Sequence, residues 1–97
     1  MTSETSMTEQ VGKTIHVTVK TVEGDEDRFK FKEELLVGKA KLEAMERFHI
    51  APPPGVTYRL AEKKNGNFRP FDDNKTLAQE GVENKDTIWL GTEQQVG

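Results

Sequence analysis

The spacing of apolar residues in this chain changes twice, and three consecutive prolines mark the second change. Near the start, Ile15, Val17 and Val19 occupy every second position, which is typical of a half-buried strand. From about residue 36 to residue 49 the apolar positions follow a helical spacing instead. Pro52–Pro54 cannot continue that helix, because proline lacks a backbone donor and restricts the residue before it. A single helix between stretches of strand predicts an α+β domain.

Three further segments alternate and complete the predicted sheet. Residues 28–32 pair with the first strand as a hairpin around the acidic turn 23–27. A third strand covers residues 56–60, and a last strand lies near residue 89. The inward side chains expected from these segments are Phe29, Phe31, Val56, Tyr58, Leu60, Ile88 and Leu90.

The predicted helix has one apolar face and a charged remainder. We expect its apolar face to pack across the sheet. The stripe is assigned to Leu42, Met45 and His49, with Val37, Ala44 and Phe48 beside it.

Short connections and two polar ends complete the predicted organisation. Residues 63–67 predict a turn, a short edge segment follows around Phe68, and residues 76–81 predict one helical turn ended by Gly81. The first and last strands are expected as parallel neighbours at the centre of a mixed sheet of four or five strands. We divide the chain into a flexible N-terminal arm (1–12), a domain (13–91) and a flexible C-terminal tail (92–97).

Composition argues against several classes of function. The net charge is −3, the pI is about 5.4, and no run of Lys or Arg exceeds two residues, which disfavours nucleic-acid and polybasic membrane binding. The chain has no Cys, so it has no disulfide, thiolate metal site or thiol nucleophile. It has no apolar run of about 20 residues and no signal-peptide pattern at its start. We expect a cytoplasmic protein.

The residue pattern also favours a protein that is not an enzyme. No Ser-His-Asp arrangement, glycine-rich phosphate loop or recognisable carboxylate pair is present in the sequence. His16 and His49 lack partners at metal-ligand spacing, so we expect no metal and no cofactor.

Several short strings resemble the ubiquitin family. The stretch from Asp73 to Leu90 is similar to the corresponding part of ubiquitin, and no gap is needed from there to the chain end. Upstream, residues 19–24 resemble the family's first hairpin, residues 39–42 its helix, and Ile50 with the prolines its Ile-Pro-Pro connector. The resemblance runs from about residue 14 to residue 97 and implies a ubiquitin-like β-grasp fold. It places Gly97 on the family's final glycine.

This resemblance implies a protein modifier that is conjugated through Gly97. A cognate ATP-dependent activating enzyme would adenylate the terminal carboxylate, and a conjugating enzyme would pass the chain to protein targets through an isopeptide or ester bond. The architecture resembles bacterial modifiers encoded beside such enzymes and a deconjugating metallopeptidase, some of which serve in anti-phage defence. The tail departs from ubiquitin in having Val96 before the last glycine and Glu93, Gln94 and Gln95 in place of Arg-Leu-Arg. Because Val96 is β-branched, a cognate channel would have to be wider than one that accepts Gly-Gly.

Two other functions remain open from the sequence. A sulfur carrier would hold a thiocarboxylate on Gly97, although such carriers usually end in Gly-Gly. A non-covalent ubiquitin-like module would act instead through a partner-binding face on the sheet. Since Ile88 and Leu90 point inward, Trp89 should lie on the solvent face, where it could anchor a partner or form a cation–π pair with Arg59. The residues assigned to this face are Trp89, Arg59, Thr57, His16 and Val22.

Overall fold

The computed structural model describes residues 13–97 as five strands and two helices. The predicted N-terminal arm, residues 1–12, lies outside the described residues. Within residues 13–97, no helix is both long and apolar enough to cross a membrane. The elements are β1 (Thr14–Thr21), β2 (Glu26–Lys32), α1 (Val37–Arg47), β3 (Tyr58–Lys64), β4 (Asn67–Pro70), β5 (Thr87–Thr92) and α2 (Glu93–Val96).

The five strands form one mixed sheet in the order β2-β1-β5-β3-β4. β1 and β5 are parallel, with Val19 opposite Ile88, and every other pair of neighbours is antiparallel. The first and last strands therefore lie side by side in the middle of the sheet, as the sequence predicts. The α+β architecture with one main helix is confirmed.

The core lies between α1 and one face of the sheet. The alternation predicted for β1, β2 and β5 is confirmed, because every inward residue assigned to these strands is at most 4% exposed. Tyr58 packs at the edge of the core and is only partly buried. The largest fully buried side chains are Phe71, Ile15, Leu60, Leu77, Ile88 and Leu90.

The helix has a different buried face from the one predicted. Val37, Ala40 and Ala44 are fully buried, whereas Leu42 is 63% exposed. An α-helix turns about 100° per residue, so Leu42 lies roughly 200° around the axis from Ala40 and faces solvent. His49 follows the helix end, has a positive φ of 58° and is exposed. The assignment of Leu42 and His49 to the apolar stripe is therefore wrong, while Met45 is confirmed at 8% exposure.

β3 begins two residues later than predicted. Val56 is 37% exposed and donates its backbone N–H to the Pro53 carbonyl, so it belongs to the turn that follows the prolines. The predicted inward position of Val56 is wrong for this reason. At the other end of β3, Asn65 and Gly66 form a two-residue hairpin turn with φ values of +52° and +82°, which is the geometry that Asn-Gly favours.

The segment around residue 77 forms a single helical turn. The backbone N–H of Glu80 donates to the Thr76 carbonyl, and Gly81 follows with a φ of +82°. The N–H of Leu77 donates to the Leu35 carbonyl, and its side chain is fully buried. This segment therefore adds Leu77 to the core, and it matches the predicted turn ended by glycine.

Candidate functional site

The outer face of the sheet lies opposite α1, and the tail packs on it. Because Ile88 and Leu90 point inward, Trp89 and Gly91 of β5 belong to the outer face. β3 pairs with β5 so that Arg59 lies opposite Gly91 and Ala61 lies opposite Trp89. Ala61 is fully buried although it is on the outer face, so this part of the sheet is covered.

The C-terminal tail contacts β5, β3 and β4 and is helical. Thr92 is the N-cap of α2, and its hydroxyl accepts a hydrogen bond from the backbone N–H of Gln95 at 3.2 Å. The Gln95 side-chain oxygen accepts in turn from the backbone N–H of Thr92 at 2.9 Å. These two bonds form a capping box, for which Thr-x-x-Gln is a sequence signature. The segment 92–97, for which the sequence predicts a flexible tail, thus contains a short helix in this structure.

Two backbone hydrogen bonds fix both ends of the tail helix. The backbone N–H of Glu93 donates to the Thr57 carbonyl at 2.9 Å, which ties the start of α2 to the residue before β3. The backbone N–H of Gly97 donates to the Glu93 carbonyl at 2.9 Å, so the helical turn extends to the last residue.

Val96 fills a space that Gly91 leaves open. The Val96 side chain is only 2% exposed. A Cβ atom placed on Gly91 would lie 3.0 Å from Val96 Cγ1, 3.0 Å from Gln95 Oε1 and 2.7 Å from Val22 Cγ2. A side chain at position 91 would overlap Val22 Cγ2 and press closely on Val96 and Gln95, so these three side chains converge on the bare backbone of β5. We call the space over the Cα atom of Gly91, which Val96, Gln95 and Val22 border, the Gly91 hollow.

Arg59 connects the sheet to the tail. Its Nη1 lies 3.2 Å from Glu93 Oε2, and its Nη2 donates to the Phe71 carbonyl at 2.8 Å. The Arg59 side chain is 29% exposed, so its ion pair with Glu93 contributes about 0–1 kcal/mol. Its Nε is buried without a hydrogen-bond partner. Arg59 thus contacts the tail, and the predicted cation–π pair with Trp89 is not formed.

Gly97 lies against the edge of the sheet. A Cβ atom on Gly97 would be 3.4 Å from Pro70 Cγ and 3.1 Å from the Glu93 carbonyl oxygen. An open pocket of about 360 Å³ is lined by Gly97, Pro70, Glu93 and Arg59. The last residue is exposed, but its backbone follows the helix and does not project away from the domain.

The free energy that holds the tail in place is small. A helix of four residues is not stable alone, since helix nucleation is unfavourable. Burial of Val96 contributes about 1.5–3 kcal/mol, and the Thr92 cap contributes about 0.5–2 kcal/mol. Fixing the backbone opposes docking by about 1–2 kcal/mol for each ordered residue. Over the five residues from Glu93 to Gly97 this cost offsets the two favourable contributions, so α2 is easier to open than the strands of the core.

Trp89 belongs to a separate aromatic cluster on the outer face. Its ring meets the Phe68 ring edge-on, with centroids 6.0 Å apart and an angle of 66° between the planes. Lys63 Nζ lies 5.7 Å from the Trp89 centroid and 5.4 Å from the Phe68 centroid. Trp89 and Phe68 are half-buried. The expected outward position of Trp89 is confirmed, but the cation beside it is Lys63.

Sequence reasoning missed Phe68 and Lys63 as members of this cluster. The Asn65-Gly66 pair is the sequence signal that could have found them, because a two-residue hairpin turn there places Lys63 directly opposite Phe68. Both side chains then share one face of the sheet with Trp89, so this register is enough to bring the three together.

His16 and Val22, also assigned to the partner-binding face, lie in different places. Lys20 pairs with Trp89, so His16 is four residues away along β1, or about 13 Å at the rise of a strand. The structure therefore does not bring His16 to Trp89. Val22 is 39% exposed and reaches the Gly91 hollow. Within residues 13–97, no three acidic, His or Cys side chains come together in a way that could hold a metal ion.

Solved structures similar to this chain are ubiquitin-like. The UBL domain of Plasmodium falciparum Dsk2 matches with a TM-score of 0.63 and 22% identity, over 82% of this chain and 99% of that domain. A chain from a structure on molecular mimicry of SUMO that promotes DNA repair matches with a TM-score of 0.63 and 15% identity, over 80% and 90% of the two chains. This chain has a ubiquitin-like fold. No protein-family model and no curated protein sequence matches it.

A ubiquitin-like fold is compatible with more than one use of this site. The Gly91 hollow and the tail make one packed unit, since α2 contacts β5, β3 and β4. The aromatic cluster of Trp89, Phe68 and Lys63 makes a second unit on the same face.

Proposed function

We propose that this chain is a ubiquitin-like protein modifier, conjugated to protein targets through Gly97 as the terminal residue of the mature chain. The observation that carries the proposal is the position of Gly97. It lies five residues beyond Thr92, the last residue of β5. The tail between them contacts the domain through α2. A ubiquitin-like core followed by a short releasable segment suits a protein that enzymes handle by its tail. A glycine without a side chain can enter a narrow channel.

In the proposed reaction this chain is the group transferred and supplies no catalytic side chain. A Gly97 carboxylate oxygen attacks the α-phosphate of ATP, and pyrophosphate leaves. A cysteine thiolate of the activating enzyme attacks the acyl adenylate and AMP leaves, which forms a thioester. An amine of a target then attacks the thioester carbonyl, loses its proton to a base of the enzymes and releases the thiolate. The cognate partners are an activating enzyme, a conjugating enzyme and a deconjugating metallopeptidase, of the kind found in bacterial conjugation systems.

The tail sequence sets requirements for these enzymes. Val96 is branched at Cβ, so the channel that accepts the tail must be wider at that position than one for Gly-Gly. Glu93, Gln94 and Gln95 carry one negative charge and no positive charge. A channel that grips the tail through acidic side chains would therefore repel it, and we expect enzymes that serve ubiquitin itself to reject this chain.

Deletion of Gly97 tests the proposal in the native cells. A tag is placed at the N-terminus, and denaturing blots compare the full chain, a chain without Gly97 and the control Leu42→Ala. Leu42 is 63% exposed and lies outside the tail and the aromatic cluster, so L42A should conjugate normally. We expect slower-migrating bands that survive denaturation in the first and third samples and are absent from the second.

The proposal fails if the bands are absent from the full-length sample while the cognate enzymes are expressed, or if they persist without Gly97. If the bands are absent from the full-length sample, the intact mass of the purified chain is measured next. An increase equal to replacement of oxygen by sulfur at the carboxylate would identify a sulfur carrier instead.

The aromatic cluster favours a second candidate, a non-covalent binding module. Trp89 and Phe68 expose part of two large rings beside the cation of Lys63, and Trp is among the residue types enriched at interface hot spots. A module of this kind would keep its function without Gly97 and lose it in Trp89→Ala. A conjugated modifier would lose function without Gly97, so the two variants separate the candidates.

A further inference from the structure

We infer that the outer face at the Gly91 hollow is a docking site for the chain's own tail, and that the docked tail is a latch that withholds Gly97 from activation. The inference rests on the proposed function for its consequence, since a latch on Gly97 matters only if Gly97 reacts. The docking itself rests on contacts within residues 13–97. The occupant of the hollow is the segment from Glu93 to Gly97.

The docked tail has the wrong shape for an enzyme channel. A helix advances about 1.5 Å per residue, whereas an extended chain advances about 3.3 Å. The five residues after Thr92 therefore reach about 8 Å when helical and about 17 Å when extended. Entry into a narrow channel requires the extended form. It also requires the loss of the Gly97–Glu93 backbone bond and of both hydrogen bonds of the capping box.

The site is built for this segment by three independent contacts. Gly91 lacks the side chain that would fill the hollow, and Val96 fills it with 2% of its own surface exposed. Arg59 meets the carboxylate of Glu93 three residues before Val96. Thr92 and Gln95 close the capping box between the strand and the helix. Glu93 thus pairs with the Arg59 cation, Gln95 completes the cap with Thr92, and Val96 fills the Gly91 hollow.

Docking and activation exclude each other because they use the same residues. Release of the tail exposes Val96 and uncovers the Gly91 hollow at the same time. An activating enzyme that places a small apolar side chain beside Gly91 would hold the latch open and gain access to Gly97. The expected activation rate is then the product of the fraction of open tails and the rate for the open form.

Gly91→Ala tests the latch from outside the tail. The new methyl group would lie 3.0 Å from Val96 Cγ1 and 3.0 Å from Gln95 Oε1, which is tighter than ordinary contact, so it should weaken the docking of α2 while every tail residue stays unchanged. The same methyl group would lie 2.7 Å from Val22 Cγ2, so the double variant Gly91→Ala with Val22→Ala removes that collision and keeps the close contact with the tail. We call Gly91→Ala and this double variant the wedge variants. Thr92→Ala opens the latch by a second route, through loss of the cap. Gln94→Ala is the matched control in the tail.

Amide hydrogen exchange measured by NMR at Gln95 and Gly97 reports the latch without any enzyme. We expect exchange at both amides to be about tenfold faster in Thr92→Ala and at least as fast in the wedge variants, with Q94A unchanged. Core amides of β1 and β5 should keep their protection, which shows that the domain is folded. With the cognate activating enzyme, adenylation of the wedge variants should be faster than that of the original chain.

The latch is overturned if Gln95 and Gly97 already exchange at the rate of an unstructured peptide in the original chain and no variant changes that rate. It is also overturned if exchange accelerates in the open variants while adenylation stays the same. If the variants accelerate exchange and no sample forms any adduct with active cognate enzymes, the proposed conjugation fails while docking of the tail in the hollow stands.

Discussion

Gly91 and Val96 show how one residue can decide the role of another five positions away. Gly91 provides no side chain on the outer face, and the Val96 side chain occupies the place that a larger residue would take. The sequence alone indicates only that Val96 is a β-branched residue in the tail. The missing information was a hollow created by pairing of β5 with β3, which no local pattern contains.

The buried face of α1 gives a prediction about two residues of the same helix. Leu42 is 63% exposed, so Leu42→Ala should change the free energy of unfolding by no more than about 0.5 kcal/mol. Met45 is 8% exposed, and Met45→Ala should lower that free energy by about 2–5 kcal/mol, because it leaves a cavity under the sheet. Urea unfolding of both variants measures the difference. Equal losses, or a larger loss for Leu42→Ala, would contradict the observed helix orientation.

At the scale of the elements, alternation and helical spacing predict the strands and the helix better than their boundaries. β1, β2 and β5 were predictable because their alternation is unbroken and fixes the inward side chains. β3 was extended too far toward the prolines, since Val56 continues the alternation in sequence but is held in a turn by Pro53. α2 could have been predicted from Thr92 and Gln95, which carry the capping-box signature.

The link between β2 and α1 predicts a pH effect on stability. Arg47 Nη1 donates to Asp27 Oδ2 at 2.9 Å, and this bond lowers the pKa of the Asp27 carboxyl below its usual value of 3.8. A carboxyl with a lowered pKa in the folded state stabilises the fold above the unfolded pKa, and loses this contribution as the pH falls through the folded value. We therefore expect Asp27→Asn to lower stability at neutral pH.

At a pH below the lowered pKa of Asp27 in the folded state, where the carboxyl is protonated in both states, the same variant should match the original chain. Asp25→Asn is the control, because Asp25 is an exposed carboxylate in the turn just before β2. Urea unfolding at the two pH values gives the comparison. A loss of stability in Asp27→Asn that is equal at both pH values would show that the ionised carboxylate is not the cause.

At the scale of the whole molecule, the ubiquitin-like sheet brings the end of β5 and the start of β3 together and so places the tail on the outer face. The fold could be predicted because the period changes and the proline stop leave few arrangements of one helix and five strands. The outward position of Trp89 could be predicted from the alternation of β5, whereas the positions of Phe68, Lys63 and Gly91 around it depend on strand register. Long-range pairing is the step that local spacing does not specify.

As a modifier, this chain would become covalently attached to other proteins through Gly97. The tagged chain is purified under denaturing conditions from its native cells and digested with a glutamyl endopeptidase, which cuts after Glu93. Conjugates should then yield target peptides in which a lysine, or another nucleophilic side chain, carries the four-residue remnant Gln94-Gln95-Val96-Gly97. A chain lacking Gly97 should yield none. If the remnant is found on no other protein while the cognate enzymes are active, this chain is not a modifier.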